Sequence, residues 1–232
     1  MPEKVFGIGL SRTGTTSLTE ALRLLGYKSV HCPLSLVAFN GNGLVLSTRI
    51  VGRFDAFTDS PVARMYRELD EAFPHLRFIL TIRPLDKWMD SLRRMRTSFV
   101  LLKALPKVRQ LANDLCGTTS FADDRALERA FVNHSQGVRE YFAERLDKDL
   151  LVLDVGAGDA WEKLCGFLGW RSHLGLFPTT ATVFHNVCKY ARLGPARLAT
   201  HVTTQRHGPR SNGFESNATS SVCITHTAVD QY

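Results

Sequence analysis

The residues with the clearest chemical potential lie near the N-terminus, in the segment Gly9–Thr16. Its spacing follows the phosphate-binding pattern G-x-x-x-x-G-K-[ST], except that Thr15 stands at the lysine position. Glycines let backbone N–H groups turn toward an anion, and a helix beginning here would add the positive end of its dipole. Arg12 is the nearest cation. We therefore predict a phosphate site, although the same glycines could simply make a tight turn between strand and helix.

Elements that alternate along the chain must position this loop. Hydrophobic patterns predict strands at Val5–Leu10, Lys28–His31, Arg77–Ile82 and Leu150–Asp154. They predict helices at Ser17–Leu25, Pro61–Phe73, Pro84–Arg96, 99–116, 122–146 and Asp159–Leu168. Residues 33–53 contain a loop signal, Asn-Gly-Asn-Gly, and remain unassigned. Strands that alternate with helices favour an α/β fold, with a mainly parallel sheet between two helical layers.

Composition bounds the class of protein. The 232 residues carry a formal net charge of +7, but the part from Arg171 onward holds +4 of it, so the body is only mildly basic and no nucleic-acid partner is required. The five cysteines are scattered, which argues against a disulfide framework and a structural zinc site. We see no secretory signal and no apolar run long enough to span a membrane, and we expect a cytoplasmic protein.

The end of the chain differs from the rest. From Thr179 onward the periodicity disappears, and Thr, Ser, His and Asn dominate. We therefore divide the chain into a folded domain, 1–178, and an irregular or disordered tail, 179–232, to which we assign no catalytic role.

Two ordered blocks resemble a known family. Ser-Arg-Thr-Gly-Thr-Thr-Ser-Leu at 11–18 resembles the 5′-phosphosulfate loop of sulfotransferases, and Ile82–Ser91 resembles their 3′-phosphate site, in which an Arg ends a strand and a Ser follows eight residues later. Supporting blocks are 54–61, 151–154, 161–169 and 177–178. Over roughly 4–178 the chain is similar to the bacterial-type, widely distributed branch of cytosolic sulfotransferases. This implies a three-layer αβα fold of the P-loop nucleoside triphosphate hydrolase-like type.

The resemblance also implies a cofactor and an activity. The sulfuryl donor would be 3′-phosphoadenosine 5′-phosphosulfate (PAPS), leaving adenosine 3′,5′-bisphosphate, and the acceptor would be a hydroxyl or amine of a small molecule or glycan. No metal is required. Arg12 would be the cation at the bridging oxygen. The other implied cofactor-binding residues are Thr13, Gly14, Thr15, Thr16 and Ser17 for the 5′-phosphate, and Arg83 and Ser91 for the 3′-phosphate.

The catalytic base is less well defined. The resemblance places Asp59, two residues before Pro61, where small-molecule sulfotransferases carry a catalytic His. Its alternative role is as the N-cap of the helix predicted to follow. His31, after a short strand, is the second candidate. His134, on a later helix, stands where the family often has a His beside the acceptor.

Other functions remain open at this stage. Ser17 replaces a Trp that stacks on adenine in many relatives, and the C-terminal Arg-Lys-Gly segment of animal enzymes has no counterpart. The prolines expected between Gly169 and Phe177 are also replaced, by residues 170–176, and the tail is irregular. This altered C-terminal region leaves a catalytically degenerate protein, which binds adenosine bisphosphate or a partner, as one alternative. A P-loop nucleotide phosphotransferase is another, disfavoured by the missing lysine. A methyltransferase is a third, because Val152–Gly158 imitates a glycine-rich S-adenosylmethionine motif, although too few elements follow it.

Overall fold

A central parallel sheet carries the predicted site residues on one edge. The computed structural model describes residues 3–73, 75–102, 104–145, 150–170 and 178, with the backbone alone for 97–102. The strands are β1 Lys4–Gly7, β2 Ser29–His31, β3 Val37–Phe39, β4 Leu44–Leu46, β5 Ala56–Thr58, β6 Leu76–Ile82 and β7 Leu150–Asp154. The helices are α1 Thr15–Leu24, α2 Tyr66–Ala72, α3 Leu85–Leu102, α4 Pro106–Cys116, α5 Asp124–Ala143 and α6 Ala160–Leu168.

The order of the strands puts β1 at the centre. Five strands pair in the order β2-β5-β1-β6-β7, and every pairing is parallel. The carboxyl ends of β1, β5 and β6 therefore meet at one edge, where ligands bind in open α/β sheets. The predicted α/β fold with a mainly parallel sheet is confirmed.

Both faces of the sheet are covered by helices. On one face, Phe6 stacks on Phe57 with ring centroids 5.2 Å apart, and Phe78 lies 4.8 Å from Phe142 of α5. On the other face, Val5 and other strand residues pack against α1 and α6 in a second buried cluster. Because strands buried on both faces expose no polar side, their sequences are continuous apolar runs, as Phe78–Leu80 illustrates.

The segment without a sequence assignment, residues 33–53, folds as a small hairpin. Strands β3 and β4 pair antiparallel, with the Asn40–Gly43 turn between them, and short 3-10 turns lie on either side. The ammonium group of Lys107 ties the hairpin to α4 by donating to the carbonyl oxygens of Leu34 at 3.2 Å and Val37 at 2.7 Å.

The largest differences from the predicted helix boundaries are at the start of α2 and at the junction of α3 with α4. Helix α2 begins at Tyr66 rather than Pro61, because the residues before it form buried turns in which Arg64 N–H donates to Pro61 O at 2.9 Å. Helix α3 continues to Leu102, so residues 99–102 belong to it and not to α4. The tail, 179–232, lies outside the described residues.

No helix in the described part of the chain is long and apolar enough to cross a bilayer.

Candidate phosphate-binding and transfer site

The loop between β1 and α1 has a geometry that needs both of its glycines. Gly14 adopts φ +108° as the N-cap of α1 and lies against Val155, so that a Cβ there would come within 2.2 Å of Val155 Cγ2. A Cβ on Gly9 would lie 2.0 Å from Thr81 Oγ1. The glycines therefore let the loop pass close to β6 and to the turn after β7.

The start of α1 presents unused donors. No side chain caps the helix, and the amide N–H groups of Thr15, Thr16 and Ser17 donate to no residue that the structure describes. The first N–H groups of a helix have no partner within it, and together with the helix dipole they form an anion site. These three residues were predicted to bind the 5′-phosphate.

Arginine side chains gather around the loop. Arg12 Nε donates to Ser91 Oγ at 2.9 Å, and Arg83 Nη1 donates to the carbonyl oxygen of Arg12 at 3.0 Å. The pKa of Arg12 lies below its usual value because the guanidinium is partly buried and because Arg83 and Arg94 are positive neighbours, although Asp59 partly opposes this. A bound anion would relieve that repulsion. The residues predicted to hold the two phosphates thus lie together.

Trp88 fixes the other side of the loop. Its indole Nε1 donates to the carbonyl oxygen of Ser11 at 2.8 Å, and its ring packs on Phe131 with centroids 4.8 Å apart. The sequence analysis did not identify this contact, since a buried Trp on a helix has no special spacing.

Thr13 holds the loop together from inside. Its hydroxyl donates to Leu10 O at 2.7 Å, its N–H donates to the same oxygen at 3.2 Å, and its Oγ1 lies 2.6 Å from Thr81 Oγ1. In this arrangement Thr13 has no donor left for a ligand. Its predicted contact with the 5′-phosphate stays a prediction, and it would require these bonds to change.

Asp59 points into the loop from the end of β5. The residue is 5% exposed, with φ +72°. Its carboxylate accepts hydrogen bonds from Ser11 Oγ, from Thr15 Oγ1 at 2.5 Å and from Ser60 N–H at 2.6 Å. The alternative interpretation, that Asp59 caps the following helix, is wrong, because α2 begins at Tyr66 with no side-chain cap.

His31 lies beside Asp59, and the surrounding hydroxyl groups define its orientation. Thr19 Oγ1 donates its only proton to Thr15 O at 2.8 Å, so Thr58 Oγ1, at 2.5 Å from it, is the donor to Thr19. Thr58 can then only accept from His31 Nδ1–H, at 3.2 Å. The remaining ring nitrogen, Nε2, lies 3.4 Å from Thr16 Oγ1 and 3.5 Å from Asp59 Oδ2. The structure therefore brings His31 and Asp59, the two candidates for the base, side by side.

His134 projects from α5 toward the end of β1. Its Nε2–H donates to Ile8 O at 2.8 Å, just before the loop, and its ring stands edge-on to Tyr66. Burial holds the pKa of His134 below its ordinary value, although the bond to Ile8 O raises it. The structure does not bring His134 into contact with Asp59 or Arg12 but places it beside a cavity described below.

Several contributors to the site were absent from the sequence analysis. Thr19 and Thr58 orient His31, and Arg94 adds a third positive charge. Arg94 follows Ser91 by three residues on α3, so helical spacing from the predicted phosphate ligand would have pointed to it. Thr19 and Thr58 carry no such signal, because their roles depend on tertiary contact.

Two other possibilities can be compared with the structure: a metal site and the glycine-rich motif of methyltransferases. Among the described residues, no group of three or more His, Cys, Asp or Glu side chains is placed to hold a metal ion. The glycine-rich segment after β7 follows a strand at the edge of the sheet, and Asp154 accepts from Gly156 N–H at 2.9 Å within that turn.

Comparison with known proteins identifies the family of this chain. A family model described as "Sulfotransferase domain" matches residues 4–181. A protein of Aspergillus versicolor, the Ava biosynthesis cluster protein M, is 25% identical over 216 residues, which cover 80% of this chain and 80% of that protein. The family match spans the sheet, the loop between β1 and α1, and the helices around it. The chain therefore belongs to the sulfotransferase domain family.

Proposed function

We propose that the protein transfers a sulfuryl group from PAPS to a hydroxyl or amine acceptor. The convergence of Arg12, Ser91 and Arg83 at the uncapped start of α1 carries this proposal. Unused N–H groups and mutually repelling arginines in one place suit a ligand with more than one anionic group. The family to which the chain belongs supports sulfuryl transfer as the reaction.

The chain's own residues divide the binding between two phosphate groups. The N–H groups of Thr15, Thr16 and Ser17 would hold the 5′-phosphate, and Arg83 with Ser91 the 3′-phosphate. Arg12 lies between them and would neutralise charge that develops on the bridging oxygen. When bound, PAPS supplies an activated sulfuryl group that needs no metal for its transfer.

Asp59 is our proposed base. Three hydrogen bonds fix its carboxylate at the loop, where it would take the proton of the acceptor hydroxyl or amine. His31 Nε2, at 3.5 Å, would then receive that proton from Asp59 and restore the carboxylate. His31 thus acts through Asp59, as a positioning residue.

A nucleotide phosphotransferase is less well supported. Thr15 stands where such enzymes carry the lysine that bridges phosphates, and its hydroxyl is bound to Asp59. A protein that binds the bisphosphate without turnover remains the alternative for the experiment to decide.

The first experiment compares thermal stabilisation by adenosine 3′,5′-bisphosphate, ATP with magnesium, and S-adenosylmethionine. A ligand at 100 times its Kd should stabilise by about 2.7 kcal/mol, a shift of several degrees at this size. We expect a shift with the bisphosphate, lost in Arg83→Ala and retained in Arg139→Ala, an exposed arginine of α5 outside the loop.

The other outcomes name the alternatives. No bisphosphate shift in a folded sample would contradict the proposal, and a shift with another ligand would replace it. Bisphosphate binding without transfer from labelled PAPS to any acceptor would indicate the degenerate alternative.

A further inference from the structure

A cavity of about 500 Å³ lies between α2, α4 and α5. Its wall includes Ala63, in the turn that follows Asp59, and His134, which donates to Ile8 O. The cavity therefore adjoins the edge of the sheet that carries the phosphate loop. Its volume is within the range of pockets that hold small organic molecules, about 300–1,000 Å³.

The charges on its wall are unbalanced. Arg64 is already paired, because its guanidinium contacts two carboxylates, Asp114 at 3.3 Å and Glu68 at 2.8 Å. Arg67 and Arg129 also line the cavity, and neither forms an ion pair with a described residue. Arg67 Nε donates to Tyr66 OH at 3.1 Å, while Arg129 is exposed and makes no hydrogen bond to the described residues.

Aromatic rings restrict one of these two arginines. The Arg67 guanidinium lies 4.8 Å from the ring centre of Tyr141 and 5.5 Å from that of Tyr66. Stacking of this kind fixes the plane of a guanidinium and leaves its outer N–H groups available. Two guanidinium groups on different helices, neither in an ion pair with a described residue and one of them oriented in advance, suit an anionic group of a ligand.

We propose that this cavity binds the acceptor and selects acceptors that carry an acidic group, a carboxylate or a phosphate ester, which Arg67 and Arg129 engage. This inference rests on the proposed function, because a bound compound is an acceptor only if the protein transfers a group to it. The binding of an organic acid by the cavity can be measured independently of transfer.

The test uses pairs of compounds in which one member carries an acidic group and the other does not. The pairs are 4-hydroxyphenylacetate with 4-hydroxyphenylacetamide, N-acetyltyrosine with its amide, and 4-hydroxyphenethyl phosphate with the parent alcohol. Binding to the full-length chain is measured by calorimetry, with and without saturating adenosine 3′,5′-bisphosphate, and transfer from labelled PAPS is followed in parallel. The variants are Arg67→Gln and Arg129→Gln, with Arg139→Gln as the control.

We expect the charged member of at least one pair to bind about tenfold or more tightly than its neutral partner. Arg67→Gln and Arg129→Gln should each reduce that preference toward parity, whereas Arg139→Gln should not. Equal binding within every pair, no binding of any charged member, or a preference that survives in Arg129→Gln would overturn the proposal.

Measuring the binding of adenosine 3′,5′-bisphosphate distinguishes failure of the cavity proposal from failure of the proposed function. If the bisphosphate binds but no charged compound does, the cavity assignment fails and the proposed function stands. If charged compounds bind through Arg129 while the bisphosphate does not bind, the cavity is a site for organic acids and the proposed function fails.

Discussion

At the scale of single residues, the chemistry of the site depends on which hydroxyl protons are already committed. Thr15 gives its proton to Asp59, and Thr13 gives its proton to Leu10 O. Backbone N–H groups and arginines, rather than these two hydroxyls, are therefore the donors available to an anion. The sequence analysis predicted the five neighbouring residues 13–17 as ligands of the 5′-phosphate without distinguishing among them, because spacing cannot show which donors are used internally.

Substitution of Asp59 tests the proposed base. Asp59→Asn should lower the transfer rate by about 10²–10⁴-fold, the usual contribution of a positioned base, while affinity for adenosine 3′,5′-bisphosphate is retained. His31→Gln should cost less, since it acts through Asp59. The rates are measured with labelled PAPS, and Asp55→Asn is the matched control, because its carboxylate accepts from Lys28 N–H away from the loop. A full rate in Asp59→Asn would contradict the assignment.

Trp88 offers a second test at this scale. Trp88→Phe leaves Ser11 O without its donor and a smaller ring in a buried place, so it should destabilise the fold by about 1–3 kcal/mol. It should also weaken bisphosphate binding, because the loop loses a support. Urea unfolding and calorimetry measure the two effects. Phe131→Leu, which loosens packing on Trp88 but keeps the hydrogen bond, should reduce stability with little effect on affinity.

At the scale of elements, the repeat of apolar residues along the sequence identified the longer strands and helices that are buried on one or both faces. Strand β6 and helices α5 and α6 were predicted because their apolar residues repeat over many positions. Strand β5 has only three residues, too few for a period, and the sequence analysis did not predict it. The β3–β4 hairpin was missed for the same reason, because each of its two strands also has only three residues.

Val155, directly after β7, packs against Gly14 in the loop between β1 and α1. A pair of substitutions can measure how much this close contact constrains residue 14. Gly14→Ala should cost about 1–3 kcal/mol, from a positive φ and from the contact with Val155 Cγ2. Val155→Ala in the same chain should recover the part due to the contact but not the part due to φ. The measurement is a double-mutant cycle by urea unfolding, and additive effects of the two substitutions would contradict a direct clash.

At the scale of the whole molecule, the sheet topology collects the site from distant parts of the chain. The site draws on the ends of four strands of one parallel sheet: the loop after β1, His31 at the end of β2, Asp59 after β5 and Arg83 after β6. Parallel strands end at the same edge, so this gathering could be predicted from the alternation of elements alone. The order of the strands, and therefore the contact between Asp59 and the loop, could not be predicted from residue spacing.

His134 should make global stability depend on pH. Its pKa in the folded protein lies below the ordinary 6.5, mainly because burial disfavours the charged ring. The unfolded chain takes up a proton near pH 6.5 that the folded chain refuses, so the free energy of unfolding should fall as pH drops below 6.5, by at most about 1.4 kcal/mol per unit. Above that pH the contribution is fully present.

The comparison uses His134→Gln, whose amide can still donate to Ile8 O. Urea unfolding at pH 7.5 and pH 5.5 should show a smaller loss of stability for the variant than for the natural sequence. The remaining histidines are common to both chains and cancel in the difference. An equal loss in both would contradict a depressed pKa at this position.

Asp59 has a further consequence, for competition between nucleotides. On the proposed placement of the donor, the group to be transferred lies near a fixed carboxylate. A sulfuryl group bears a single negative charge, whereas the terminal phosphoryl group of ATP bears up to two, so the phosphoryl group meets up to about twice the repulsion at the same distance. The residue proposed to accept the proton would thus also act as a charge filter, and it would discriminate between two anhydrides that the backbone N–H groups of the loop could not tell apart.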